Sequence, residues 1–109
     1  MNKIIIIAEA GPNHNGKLNI AFKLVDIAKR AGADFIKFQI SIPEDHITVT
    51  AKKAIYQIKN TKNGNSQLKM SQGMTLSFKQ FKKLKKYCDK KKNEISFKWI
   101  WFQSFKFFI

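Results

Sequence analysis

Five polar residues within the first forty have the types and spacing for small-molecule chemistry: Glu9, Asn13, His14, Lys37 and Gln39. Glu9 ends an apolar run, and as a carboxylate it can position a hydroxyl or act as acid or base. Asn13 and His14 lie in a dense cluster of turn residues, Gly11-Pro12-Asn13-His14-Asn15-Gly16. Lys37 and Gln39 are two residues apart, so on an extended segment they point to one side and Phe38 to the other. A Lys and a Gln on the inner side of a barrel strand are costly to bury without an anionic or polar partner. A phosphate or carboxylate ligand would remove that cost. The residues leave a second reading open, in which Lys37 simply pairs with Glu9 as a structural ion pair.

Those side chains need elements to position them. Lys3 to Ala8 is β-branched and apolar, the pattern of a strand buried on both faces of a parallel sheet. Leu18, Ala21, Leu24, Val25, Ala28 and Ala31 recur at three- and four-residue spacing, the stripe of an amphipathic helix. Lys29 and Arg30 suit its negative end, and Gly32 is placed to cap it. Asp34 to Gln39 reads as a second strand. Strand, helix and strand make a βαβ unit, normally parallel and right-handed. In such sheets ligands gather at the C-terminal ends of the strands, where Glu9, the Asn13-His14 loop, Lys37 and Gln39 fall.

Further along, Ile40 to Thr50 reads as a long loop with Pro43, Glu44 and Asp45, and His46 as a solvated loop residue. Ala51 to Ile58 is expected to form a short helix, and Asn60 to Gly73 another loop. Ser77 with Gln80 fits a capping box opening a second clear helix. Phe78, Phe81, Leu84 and Cys88 form its apolar stripe, and the lysines between Lys79 and Lys92 face water.

Composition bounds what such a chain does. Its 109 residues allow one small domain or part of a larger one. Apolar residues make up 44%, too many for a disordered tail. The longest apolar run, Ile4 to Ala8, is far short of the roughly 20 residues of a membrane helix, so no membrane partner is expected. Cys88 is the only cysteine, which excludes an intrachain disulfide framework and a cysteine zinc cluster. A reduced, cytoplasmic protein is the default expectation. The net charge of +14 raises nucleic acid as an alternative partner. No recognition-module signature accompanies it, and lysines on the outward face of a helix are ordinarily a solvated surface. No nucleic-acid partner is expected.

The ordered set Ile7-Ala8-Glu9-Ala10-Gly11, Asn13-His14-Asn15-Gly16, Ala31-Gly32-Ala33-Asp34 and Lys37-Phe38-Gln39 resembles the start of the sialic acid synthase family, with its legionaminic and pseudaminic acid synthases. The resemblance continues through Ala54-Ile55-Tyr56-Gln57, Ser66-Gln67-Leu68 and Leu84-Lys85-Lys86-Tyr87-Cys88-Asp89, covering roughly residues 3–92. It implies an α/β fold: the incomplete N-terminal βαβ(α) portion of a (β/α)8 TIM barrel. It also implies a transferase that condenses phosphoenolpyruvate with an N-acetylated amino sugar, typically N-acetylmannosamine, to a nonulosonic acid and phosphate. By match to the family motifs, Lys37 would contact phosphoenolpyruvate as a cation and Gln39 would lie beside it. Glu9 would contact the sugar or assist proton transfer, as the catalytic residue, while Asn13 and His14 would belong to the substrate-binding loop. The family uses a divalent metal, Mn2+ or Mg2+, that polarises the sugar aldehyde as a Lewis acid. Its histidine ligands come from later strands, so His14 is not read as a metal ligand, and a family-type homodimer would need a full-length chain. Another phosphoenolpyruvate-using barrel enzyme is the alternative within the same fold, and the Asn13-His14-Asn15-Gly16 loop argues for the synthases.

Two departures stand out. Lys69-Met70-Ser71-Gln72-Gly73-Met74 lacks the acidic residue and Leu-Lys-Lys-Leu-like stretch that family members tend to carry. The tail departs further, dividing the chain into a synthase part, residues 1–92, and an aromatic part, residues 93–109. Where a third strand like Phe-Leu-Ser-Ser-Gly-Phe is expected, the chain reads Ile95-Ser96-Phe97-Lys98-Trp99-Ile100-Trp101. One permitted coding of that stretch, with its first base removed, reads Phe-Leu-Ser-Ser-Gly-Phe. Residues 93–109 are therefore expected to be out of frame. Genomic DNA past the codon for Asn93 tests this: the next frame should encode the remaining barrel strands, and a frame that does not refutes the reading.

Overall fold

Alternation along one central strand divides the molecule into a helix-covered side and an open side. The structure is a computed structural model and describes residues 2–45, 47–61, 64, 66–90 and 96–101. Strand β1 (Ile7–Gly11) leads through a turn to helix α1 (Leu18–Arg30) and strand β2 (Phe35–Ile40). A 3-10 turn (Pro43–Asp45) and short helices α2 (Ile55–Asn60) and α3 (Gln67–Gly73) follow, then helix α4 (Phe78–Lys90) and strand β3 (Ser96–Trp101). The three strands form one parallel sheet in the order β1-β2-β3, as the expected βαβ start of a barrel requires.

Ile36, Phe38 and Ile40 of β2 are buried, while Phe35, Lys37 and Gln39 between them are half-buried. The buried set meets Ala21, Val25 and Ala28 of α1 and Phe81, Leu84 and Cys88 of α4. These are the stripes that the three- and four-residue spacing marks. Phe22 and Tyr87 stack between the two helices with centroids 4.6 Å apart, and the Tyr87 hydroxyl donates to Asp26 at 2.7 Å. The α4 capping box is complete: the Ser77 amide donates to Gln80 Oε1 at 2.8 Å, and the Gln80 amide to Ser77 Oγ at 3.2 Å. The α4 lysines 79, 82, 83, 85, 86 and 90 are exposed. Lys91 and Lys92 lie outside the described residues, as does His46.

Several expectations are corrected. Strand β1 begins at Ile7 rather than Lys3, and Ile4 to Ile7 are exposed rather than buried, Ile4 to 82%. Strand β1 has only β2 beside it among the described residues, and the pairing starts at Ile7↔Phe35, so the residues before it have no strand partner. The first helix of the middle runs Ile55–Asn60, later than Ala51–Ile58. The stretch Asn60 to Gly73, read as loop, ends in α3; Ser66 caps that helix by accepting from the Lys69 amide at 3.2 Å, and Met70 is buried. In the tail, Ser96–Trp101 forms β3, paired with β2 from Phe35↔Ser96 to Ile40↔Trp101. The remainder of the stretch read as out of frame, residues 93–95 and 102–109, lies outside the described residues.

Asp34 holds the entry of β2 to the chain before β1. Its carboxylate accepts from Lys3 Nζ at 2.7 Å and from the Ile6 amide at 3.0 Å. The Lys3 bond first, then the Ile6 bond, hold the carboxyl below its ordinary value of 3.8. A depressed carboxyl stabilises the fold above that ordinary value and loses its contribution as the pH falls below it. Urea midpoints measured across the acid range should therefore fall less steeply for Asp34→Asn than for the parent. Glycines test the packing separately. Gly16, at φ +73°, would place an added Cβ 2.3 Å from the Gly73 carbonyl oxygen, whereas Gly32, at φ +80°, has no atom within 4 Å of its Cβ position. Gly32→Ala should cost about 1–2 kcal/mol in urea unfolding, from the left-handed backbone alone. Gly16→Ala should cost about 3 kcal/mol or more, because the backbone must also move.

Candidate active site

The open side of the sheet gathers three of the five candidate residues. Glu9 and Lys37 are direct partners in the parallel register of β1 and β2, and Gln39 lies two residues beyond Lys37. Lys37 Nζ forms an ion pair with Glu9 Oε1. The pairing that the second sequence reading expects is thus present. Its energetic weight is small: Glu9 is 64% exposed and Lys37 25%, and a pair so wet contributes about 1 kcal/mol or less. It leaves a carboxylate, an ammonium and a carboxamide side by side on a solvent-facing surface at the C-terminal ends of two strands. Such a set has the chemistry to bind an anion, position hydroxyls and move protons.

Local structure explains the setting. The β1–β2 register runs Glu9↔Lys37 and then Gly11↔Phe38, so Ala10 is an inserted residue and β1 bulges directly after Glu9. Gly11 takes φ +50°, which glycine accepts without steric cost. The Asn13 amide then donates to the Ala10 carbonyl, the Asn15 amide to Pro12 and the Lys17 amide to His14, all within 3.1 Å. Three successive turns close the loop before α1. Asn13 rides on it, exposed.

His14 goes elsewhere. It is 1% exposed, with its ring 6.2 Å from Phe38 and 6.3 Å from Phe81, on the helix-covered side. Its Nδ1 accepts from the Gly16 amide at 3.0 Å, and its buried Nε2 has no hydrogen-bond partner among the described residues. Burial pushes its pKa below the ordinary 6.5. The structure therefore brings Glu9, Lys37 and Gln39 together, keeps Asn13 at the adjoining loop, and separates His14 from them by the sheet.

The sequence reading misses one buried charge, Lys53, which is 5% exposed and donates to Thr61 Oγ1 at 2.5 Å. That hydroxyl in turn donates to the Gln57 carbonyl at 2.7 Å, tying down the end of α2. One lysine in the adjacent pair Lys52-Lys53 carries no sequence signal that it is the buried one. A groove of about 500 Å3 lies between the end of β2 and the start of α4, lined by residues including Ser41, Glu44, Gln72 and Ser77 but not by Glu9, Lys37 or Gln39. Among the described residues no group of three His, Cys, Asp or Glu side chains could hold a metal ion. The residues present do not fit a divalent metal site, and His14 is turned into the core. No helix of the described residues is long and apolar enough to cross a membrane.

Comparison with known proteins places the chain in a family. Residues 24–99 match the NeuB family. The chain is 54% identical over 84 residues to the N,N'-diacetyllegionaminic acid synthase of Campylobacter jejuni, covering 77% of this chain and 25% of that protein. It is 46% identical over 57 residues to the pseudaminic acid synthase of the same organism, covering 52% of this chain and 16% of that one. Among solved structures, the N-acetylneuraminic acid synthetase of Leptospira borgpetersenii superposes with a TM-score of 0.65 at 30% identity, covering 94% of this chain and 30% of its own. The chain thus spans about a quarter of the length of the curated legionaminic acid synthase. Its three parallel strands and covering helices are the opening portion of a TIM barrel. The chain belongs to the NeuB family of nonulosonic acid synthases.

Proposed function

We propose that this chain carries the substrate-facing strands of a synthase that joins phosphoenolpyruvate to an N-acetylated amino sugar resembling N-acetylmannosamine. In that reaction carbon 3 of phosphoenolpyruvate attacks the open-chain aldehyde, water adds at carbon 2, and phosphate leaves. The products are a nonulosonic acid and inorganic phosphate. The observation that supports this reading is the row formed by Glu9, Lys37 and Gln39 on the open face of the sheet, at the strand ends. Lys37, already beside a carboxylate, takes an anionic group of phosphoenolpyruvate when the Glu9 contact exchanges for it. Gln39 has a donor and an acceptor to offer the same ligand. Glu9, mostly exposed, is free to reach a sugar hydroxyl or pass a proton. Asn13 contributes from the loop edge. His14 supports that loop from the core side. The divalent metal belongs to the proposal, its ligands being expected on later barrel strands beyond those carried here, and no step here is routed through it.

The out-of-frame origin of residues 93–109 is part of the same proposal, and its support is the shifted reading of residues 95–101. A barrel of this kind needs roughly 250 residues, so the 109-residue chain alone is expected to release no phosphate from phosphoenolpyruvate and an amino sugar. A chimera tests the residues directly. The segment of this chain that matches the Campylobacter jejuni synthase should support activity in place of that enzyme's own. Lys37→Met in the chimera should lower kcat/KM by about a hundredfold or more, the usual cost of removing one charge-stabilising contact. An active Lys37→Met chimera, or phosphate release by the isolated chain, would overturn the assignment.

A further inference from the structure

His14 is a buried histidine that the proposed chemistry does not use. Its ring is nearly sealed from solvent between Phe38 of β2 and Phe81 of α4. One nitrogen is committed: Nδ1 accepts from the Gly16 amide at 3.0 Å. An accepting Nδ1 carries no proton, so the neutral ring must bear its proton on Nε2. That Nε2 finds no partner among the described residues. A buried donor left unsatisfied is costly, yet a ring protonated on both nitrogens is costlier still, since Nδ1 would then turn a donor toward the Gly16 donor.

We propose that His14 is an acid-sensitive latch on the loop after β1: its neutral ring holds residues 12–16 against the helix-covered face, and protonation of Nδ1 breaks the Gly16 bond and releases them. What seats the loop on the core is the ring itself, lodged between Phe38 and Phe81. Its backbone bonds are short-range turns, from the Asn13 amide to Ala10, Asn15 to Pro12 and Lys17 to His14, and Asn15 at φ 52° and Gly16 at φ +73° keep it in a left-handed path. Gly16 also packs against the Gly73 carbonyl at the end of α3, so release of the loop frees that contact as well. Burial alone lowers the histidine's affinity for a proton. The charged groups on the surrounding elements lie elsewhere. Lys37 leaves β2 on the opposite face, Lys17 after the loop and Lys69 on α3 are exposed, as are the lysines and Asp89 of α4. On α1, Asp26 bonds Tyr87.

The test is independent of the synthase reading, because it uses no substrate. The full chain contains two histidines, so His46→Gln leaves His14 as the single titrating imidazole. In 15N-labelled His46→Gln protein, the ring nitrogens at about pH 7.5 should report the Nε2–H tautomer. Between about pH 7.5 and pH 5, exchange of the Gly16 amide should rise progressively relative to that of the Leu84 amide in α4, because the released loop binds the proton more tightly than the buried one. His14→Asn in the same background supplies an oxygen acceptor for the amide two residues on without a titrating ring, and its ratio should stay flat. An Nδ1–H tautomer overturns the proposal. So does a Gly16 amide unprotected at neutral pH, a constant ratio in the histidine protein, or an equal acid response in His14→Asn. If His14→Asn does not fold, the tautomer and the ratio in the histidine protein decide the matter.

Discussion

The register of β2 against β1 is the constraint on which everything else in this structure depends. With Glu9 opposite Lys37, the apolar residues Ile36, Phe38 and Ile40 enter the core, and the polar pair Lys37 and Gln39 faces out. A slip of one residue would exchange the two faces completely. Lys37 would then lie among Val25, Phe81 and Leu84, at a cost of several kcal/mol for an unpaired buried ammonium. Phe38 would lose burial worth about 1.5–3 kcal/mol. Packing and chemistry therefore select the same register, and the hydrophobic core acts as the device that aims the polar face.

The constraint holds only as far as Glu9. Directly after it Ala10 is inserted, and the ladder resumes at Gly11 opposite Phe38. The bulge ends regular pairing where a side chain must face solvent while the backbone turns back toward α1. Gly11, Asn15 and Gly16 all take positive φ, so the turn is built from residues that tolerate that conformation. The loop's single side-chain anchor among the described hydrogen bonds is the Nδ1 of His14. Thus a bulge and one short loop separate two environments: Glu9 in water, and, five residues on, an imidazole in a dry core.

Much of this was legible from residue pattern. The stripes of α1 and α4, the Ser77-Gln80 cap and the alternation of Lys37, Phe38 and Gln39 each express a local rule that the tertiary structure does not override. What was not legible depended on partners. Ile4 to Ile6 have the composition of a buried strand, but burial requires a neighbour on each side, and no spacing within the segment reveals whether one exists. The helix at Gln67–Gly73 was hidden because its polar residues carry no periodic stripe; only Ser66 as a cap and Met70 as its buried residue mark it. The match of the Asn13-His14 loop to the family motifs places both residues at the strand ends beside Glu9. The bulge between Glu9 and His14 reversed that proximity in space, and a bulge depends on pairing with another strand, which no single segment displays.

The third strand shows how differently structure and chemistry depend on sequence. Ser96–Trp101 is aromatic and β-branched, and a segment of that kind forms a strand wherever a parallel edge is available. It pairs with β2 over six positions, from Phe35↔Ser96 to Ile40↔Trp101. Strand formation thus tolerates almost any apolar sequence with the right propensity. The row at Glu9, Lys37 and Gln39 is not tolerant in that way. Core burial does not require these three side chains, and their ion pair contributes about 1 kcal/mol at most. Apolar or small residues on that face would satisfy the fold equally well. The fold thus demands the register and leaves the residue types on that face unconstrained, so the identities of these three side chains are open to selection by chemistry rather than by packing.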